Sequence, residues 1–170
     1  GMDWISFTSS SAANLITRQR KGEPMAALVP QYNHAFGTCH RRWFRSLYKD
    51  KYHYMGEWDL LSLAFRLDLS LYYWGVAAAP FREGASALCE PPFTRPGGGF
   101  FSWLIACYNR RFAAIAQRRR RLGLLGKTNK GQRCLIGGFT LERKDMLRLF
   151  GMLVQWAVLE LKEGRHSWGG

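Results

Sequence analysis

Acidic side chains are absent from one long stretch of this chain: residues 91–141 contain no Asp or Glu. The same 51 residues carry ten basic ones, Arg95, Arg110, Arg111, Arg118, Arg119, Arg120, Arg121, Lys127, Lys130 and Arg133. The formal net charge of +13 is therefore concentrated in one segment, because the other 119 residues hold 15 basic and 12 acidic groups. A segment of that sign excludes a cationic ligand as its natural partner and points to a polyanion.

Other absences narrow the reading further. Val, Ile and Thr together number only 15 of 170 residues, which argues against a sheet-rich fold and toward helices. The four cysteines, Cys39, Cys89, Cys107 and Cys134, form no CxxC pair and no tight ligand spacing, so reduced, mostly buried thiols are expected. No run approaches the ~18 apolar residues of a membrane span. The start, Met2-Asp3-Trp4-Ile5-Ser6-Phe7, lacks the basic and apolar regions of a secretory signal. The expectation is a soluble, cytoplasmic protein with no membrane contact.

What is present is enough to fold. With 47% apolar and 15% aromatic residues, 170 residues suffice to bury a core without disulfides or metal, and one domain over 1–170 is expected. The predicted architecture is all-α, a bundle of about four to five helices with a long Pro/Gly-rich loop. A short helix over 9–21 follows a Ser-rich cap and stops before Gly22 and Pro24. A second over 31–49 follows Pro30 and gathers Tyr32, Phe36, Cys39, Trp43 and Leu47 on one stripe. Its back face carries His34, Arg41, Arg45 and Tyr48, with Arg42 and Lys49 alongside.

Residues 57–76 support two readings. As a helix they place Asp59, Ser62, Arg66, Ser70 and Tyr73 on a polar stripe and bury Leu60, Leu61, Leu67, Leu71 and Trp74. As a strand over 59–76 they alternate cleanly from Phe65 to Tyr73, which would make the fold α+β. Length and leucine content favour the helix. Asp68 then lies on an apolar face and needs a partner, for which an arginine salt bridge is the expected one.

Residues 80–99 hold four prolines and Gly97-Gly98-Gly99, and read as a long flexible connection with a glycine hinge. A helix over 101–121 lines up Phe101, Leu104, Ile105, Tyr108, Phe112 and Ile115, and turns Arg110, Gln117 and Arg121 the opposite way. Four consecutive arginines sweep most of the circumference, so Arg119 points along the core stripe if the helix stays packed. The reading adopted is that the last turn extends past the core. A flexible basic loop over 123–138, a helix over 140–161 with apolar residues nearly all round, and a frayed tail over 164–170 complete the chain.

Chemistry-bearing constellations are weak by comparison. His34, Cys39 and His40 diverge on a helix, so no metal site is expected. Cys39 with His40, Asp68, and Glu57 with Asp59 sit in no catalytic motif, and the last pair suits a helix start. No cofactor is implied and a non-catalytic role is favoured, with enzymatic function left open. The basic segment matches a nucleic-acid binder that grips the phosphate backbone without strong sequence specificity. The expected contacts are Arg110, Arg118, Arg120, Arg121, Lys127, Lys130 and Arg133, with Arg41 and Arg45 as a second patch. Trp4, Tyr52, Tyr54 or Trp168, where exposed, would stack on unpaired bases. The alternative is a non-catalytic assembly subunit whose arginines meet an acidic protein, joined to its own copies or to a complex through the apolar helix 140–161.

Overall fold

The computed structural model describes residues 2–74, 78–91, 93–130 and 143–165. Among them lie six α-helices and no strand: α1 (Met2–Arg20), α2 (Met25–Leu47), α3 (Trp58–Tyr72), α4 (Ala78–Glu83), α5 (Gly98–Arg121) and α6 (Arg143–Arg165). The protein is a single-domain all-α bundle. The ambiguous segment is therefore helical, and the period-two pattern from Phe65 to Tyr73 is incidental.

α5 is the central helix, packing on α2, α3 and the 3-10 turn Lys51–His53. Its predicted stripe holds: Ile105, Tyr108, Phe112 and Ile115 are buried, and Phe101 and Leu104 pack against them. Leu60, Leu63, Leu67 and Leu71 of α3 and Trp43 of α2 close the core around that stripe. α6 adds Met152 and Trp156, the latter edge-on to Tyr108 and Phe112 at ring distances of 6.1 and 6.2 Å.

Both early helices begin before their expected starts. In α1 the serines taken for a cap lie inside the helix, where Ser9 Oγ donates to the Ile5 carbonyl at 2.8 Å and Thr8 Oγ1 to that of Trp4 at 2.9 Å. A hydroxyl satisfied by the preceding turn does not start a helix. The extra turns bring Phe7 into burial and set Trp4 against Phe36 at 4.8 Å. In α2 Pro30 sits inside rather than at the start. Met25, Ala26, Ala27 and Leu28 are strong enough helix formers to carry the chain through one missing N–H.

The Pro/Gly-rich connection is more ordered than an irregular loop. It contains α4 and a 3-10 turn, Ala85–Cys89, which packs on α1 through a Ser11 Oγ donation to the Cys89 carbonyl at 2.9 Å. Two of the glycines have a local structural role. Gly97 opens α5 at φ +87°, and a Cβ on Gly98 would stand 2.3 Å from the Phe93 carbonyl oxygen. That same oxygen accepts from the Arg42 guanidinium, so Arg42 is held as a strut between α2 and the start of α5.

Two buried polar groups mark where the α3 reading was incomplete. Ser70, expected on the polar stripe, is fully buried, and its hydroxyl has no hydrogen-bond partner among the described residues. Asp68 does find a cation, but it is Lys51 rather than an arginine, and the Tyr108 hydroxyl donates to its other oxygen. Burial raises the Asp68 carboxyl above its ordinary range, with Lys51 opposing that shift. Beside it, the Tyr54 hydroxyl donates to Asn109 Oδ1, while Asn109 Nδ2 donates to the Ser46 carbonyl at 2.7 Å. Buried polar groups paired in this way lock the register of α2, α3 and α5.

Candidate functional site

The surface chemistry follows from how the few acids are spent. Among the described residues nine carboxylates form ion pairs with the cations Arg18, Lys51, Arg95, Arg111, Arg119 and Arg148. Exposed cations such as Arg110, Arg120 and Arg121 take no part in those pairs.

One cation takes three of those acids. Arg119 lies at the inner side of the last turn of α5, its side chain 7% exposed, and pairs with Glu57 at 2.5 Å, Asp59 at 2.8 Å and Glu163 at 2.7 Å. The helix end does not run past the core as expected, because α3 and α6 supply carboxylates where Arg119 turns inward. Burial opposes the Arg119 charge, yet its hydrogen bonds to Asp59, Glu163 and Glu57 raise its pKa above the ordinary arginine value. For Asp59 burial pushes upward, but the hydrogen bonds and charge of Arg119 prevail and hold its carboxyl below the usual range. Glu57 and Asp59 thus serve Arg119 as well as the helix dipole.

The basic loop is tied to the same place. Gly126 N donates to Glu57 and Thr128 Oγ1 to Asp59 at 3.2 Å. Asn129 Oδ1 accepts from the Trp58 backbone N–H at 2.7 Å, and Asn129 Nδ2 donates to the Gly56 carbonyl at 2.7 Å. Since Glu57 makes no side-chain cap, Asn129 satisfies one orphan donor at the start of α3 from 71 residues away. Loop residues 126–129 are anchored, whereas 131–138 lie outside the described residues.

The predicted contacts divide accordingly. Arg110, Arg120, Arg121, Lys127 and Lys130 are exposed, and no ion pair among the described residues engages them. Arg118 is half-buried, one of its guanidinium nitrogens donating to the Glu163 carbonyl at 2.5 Å. Arg133 lies outside the described residues. In the second patch Arg41 and Arg45 are exposed, and Arg41 makes one 3.4 Å contact to Thr38 Oγ1. Arg111, on the flank of α5, is a bidentate partner of Glu160 at 2.9 and 2.6 Å, which raises Arg111 and lowers Glu160 from their ordinary pKa values.

The two patches lie on helices, α5 and α2, that pack along one seam. Asn109 and Ser46 hydrogen bond across α5 and α2, as do Ser102 and the Arg42 carbonyl at 3.3 Å. Arg110 and Arg45, the sequence neighbours of the first pair, are exposed.

Exposed aromatics accompany these cations, and most of them escaped the sequence reading. Tyr54, considered for stacking, is fully buried, and Trp4 packs on Phe36 and His40. Tyr52 is exposed, while Trp168 lies outside the described residues. The aromatics beside the basic rows are Phe44 and Tyr48 on α2 and its C-cap, and Phe100 and Trp103 on α5. A signal existed: His40, Phe44 and Tyr48 stand four apart, each followed by Arg41, Arg45 or Lys49.

Among the described residues no group of three His, Cys, Asp or Glu is placed to hold a metal ion. Cys39 is buried, which pushes its thiol up to about 12, and its neighbour His40 points out. A groove of about 580 Å³ between α3 and α6 is lined by Trp58, Ser62, Arg66, Val154, Val158 and the Arg119 cluster. No described helix is long and apolar enough to cross a membrane. No protein-family model, curated protein or solved structure matches this chain.

Proposed function

We propose that this protein binds nucleic acid by gripping its phosphate backbone, without strong sequence specificity and without catalysis of its own. The clamps are Arg110, Arg118, Arg120, Arg121, Lys127, Lys130 and Arg133 on α5 and the following loop, with Arg41 and Arg45 across the seam on α2. The supporting observation is that Arg41, Arg45, Arg110, Arg120, Arg121, Lys127 and Lys130 are exposed and, among the described residues, have no carboxylate partner, while the described acids pair elsewhere. Unneutralised arginines release counterions when they meet phosphate, and their planar forks suit its oxygens.

Salt titration tests this directly. With several phosphates neutralised, the affinity for generic DNA or RNA falls by orders of magnitude over a few-fold rise in salt. A flat salt dependence, or unchanged binding by a variant with Arg110, Arg120 and Arg121 all replaced by Ala, overturns the proposal.

A second reading has its own observation. On α6, Leu147, Phe150, Val154 and Leu161 stand exposed, Leu147 at 73%, opposite the face that packs on the core. This is the outer half of the helix expected to be apolar nearly all round. Such a stripe favours an assembly subunit that joins copies of itself or another chain through α6, with the arginines meeting an acidic protein surface. Mass in solution separates the readings. A tight oligomer dispersed by Leu147→Glu and indifferent to nucleic acid supports the second.

A further inference from the structure

We infer that α6 pairs with α6 of a second copy of this chain, antiparallel and about a two-fold axis at Val154. The inference rests on the second reading's use of α6 and names its occupant, whatever the arginines bind. Leu147, Phe150, Val154, Val158 and Leu161 are 43–73% exposed, and at 100° per residue they fall within an arc of about 80°. Between Leu147 and Leu161 no charged residue shares that arc. The other side of the helix is already committed, since Met152, Leu153, Trp156 and Leu159 pack on the core.

The order of the stripe points to a second copy rather than to an unrelated chain. Its successive spacings are 3, 4, 4 and 3 residues, the same read from either end, with Val154 at the centre. An antiparallel two-fold contact demands that symmetry, because each residue meets its counterpart counted from the opposite end. Leu147 of one copy then faces Leu161 of the other, and Val154 faces itself. Phe150 falls over the hole bounded by Val154, Ala157, Val158 and Leu161, where exposed Ala157 leaves room for a ring. A parallel pair would instead set Phe150 against Phe150 and align the two helix dipoles side by side, where they repel.

The size of the stripe agrees with a pair. Side chains exposed to this extent offer roughly 500 Å² of apolar surface per copy, so two copies bury about 1,000 Å², enough for a specific but weak interface. Each copy carries a formal charge of +13, so repulsion opposes the association and screening by salt tightens it. Phosphate binding has the opposite salt dependence.

Sedimentation velocity of the full chain, freed of nucleic acid and run at roughly 1–100 μM, tests the pairing. The expected result is a mass that rises from one chain to two over that range, and rises at lower concentration in higher salt. Phe150→Asp weakens the association at least about tenfold and leaves the circular dichroism spectrum unchanged, because the ring it removes is exposed. Cysteine cross-linking, compared with wild type, reads the register: Val154→Cys links to itself, whereas Leu147→Cys links to Leu161→Cys in a mixture and not to itself. A dimer in which Leu147→Cys links to itself, or Val154→Cys does not, overturns the antiparallel pair but leaves assembly through α6 standing. A single-chain mass throughout the range, or association unaffected by Phe150→Asp, overturns both and leaves phosphate binding to its own salt titration.

Discussion

Arg119 and Arg121 belong to the same run of four arginines, two residues apart on one helix, and end in opposite surroundings. Arg119 is enclosed by three carboxylates from α3 and α6, whereas Arg121 faces solvent with no ion-pair partner among the described residues. Two residues turn a helix by about 200°, so whichever side faces the core takes one of them inward. The comparison teaches that an arginine run is not a uniform patch. One member, Arg119, holds the bundle together, Arg118 caps the end of α6 through Glu163, and Arg120 and Arg121 face solvent.

The largest test of this contrast is Arg119→Ala. It strands fully buried Glu57 and leaves Asp59 and Glu163 without their cation, so a loss of about 3–5 kcal/mol is expected, read as a lower midpoint in urea unfolding. Arg119→Lys recovers only part, because a single ammonium cannot reach three carboxylates in Arg119's forked geometry. If Arg119→Ala melts like wild type, the contrast is wrong.

Acid should erase the same cluster. The Asp59 carboxyl is lowered in the folded protein, so the unfolded chain binds protons more readily. The stability Asp59 contributes is complete above its ordinary value of 3.8 and is lost as pH falls through the lower folded value. Glu160, lowered by Arg111, adds in the same direction below 4.5. Asp68 works the other way: its raised carboxyl makes the fold less stable as pH rises from 3.8 through the folded value. Thermal melts from pH 5 to 2 should therefore show a smaller fall in Asp59→Asn than in wild type, because the variant has already lost that titration.

Smaller effects grade the exposed members. Arg111→Ala removes a bidentate but exposed pair with Glu160 and is expected to cost ~0–1 kcal/mol. Arg121→Ala and Arg110→Ala are expected to change stability by less than about 0.5 kcal/mol, while weakening binding and flattening its salt dependence by about one phosphate contact each. A stability loss in Arg121→Ala comparable to that of Arg119→Ala would collapse the distinction.

Periodicity made much of the bundle legible before any coordinates. The α5 stripe from Phe101 to Ile115 and the helical reading of α3 follow from apolar spacing, which reports the face a helix buries. Helix starts were less legible. The serines near residue 9 carry the side chains of a cap, but burial of Phe7 against α2 extends α1 across them, and local chemistry does not contain that contact. Asp68 was marked as needing a partner, yet Lys51 becomes its neighbour only when the 3-10 turn folds under α3. At the candidate site, exposure of Arg110 and Arg121 was readable from the helical wheel. The anchoring of Gly126, Thr128 and Asn129 on α3 was not, because residues some 70 positions apart meet there.

By itself the sequence determined that this chain is helical, that its charge excess is positive, and that the excess gathers between Arg110 and Arg133. Composition and periodicity suffice for that, since both act within a few turns of one helix. Tertiary structure alone decided how that charge is divided. Glu57, Asp59 and Glu163 converge on Arg119 because α3 and α6 pack beside the end of α5, and that convergence removes Arg119 from the surface while Arg110, Arg120 and Arg121 stay exposed.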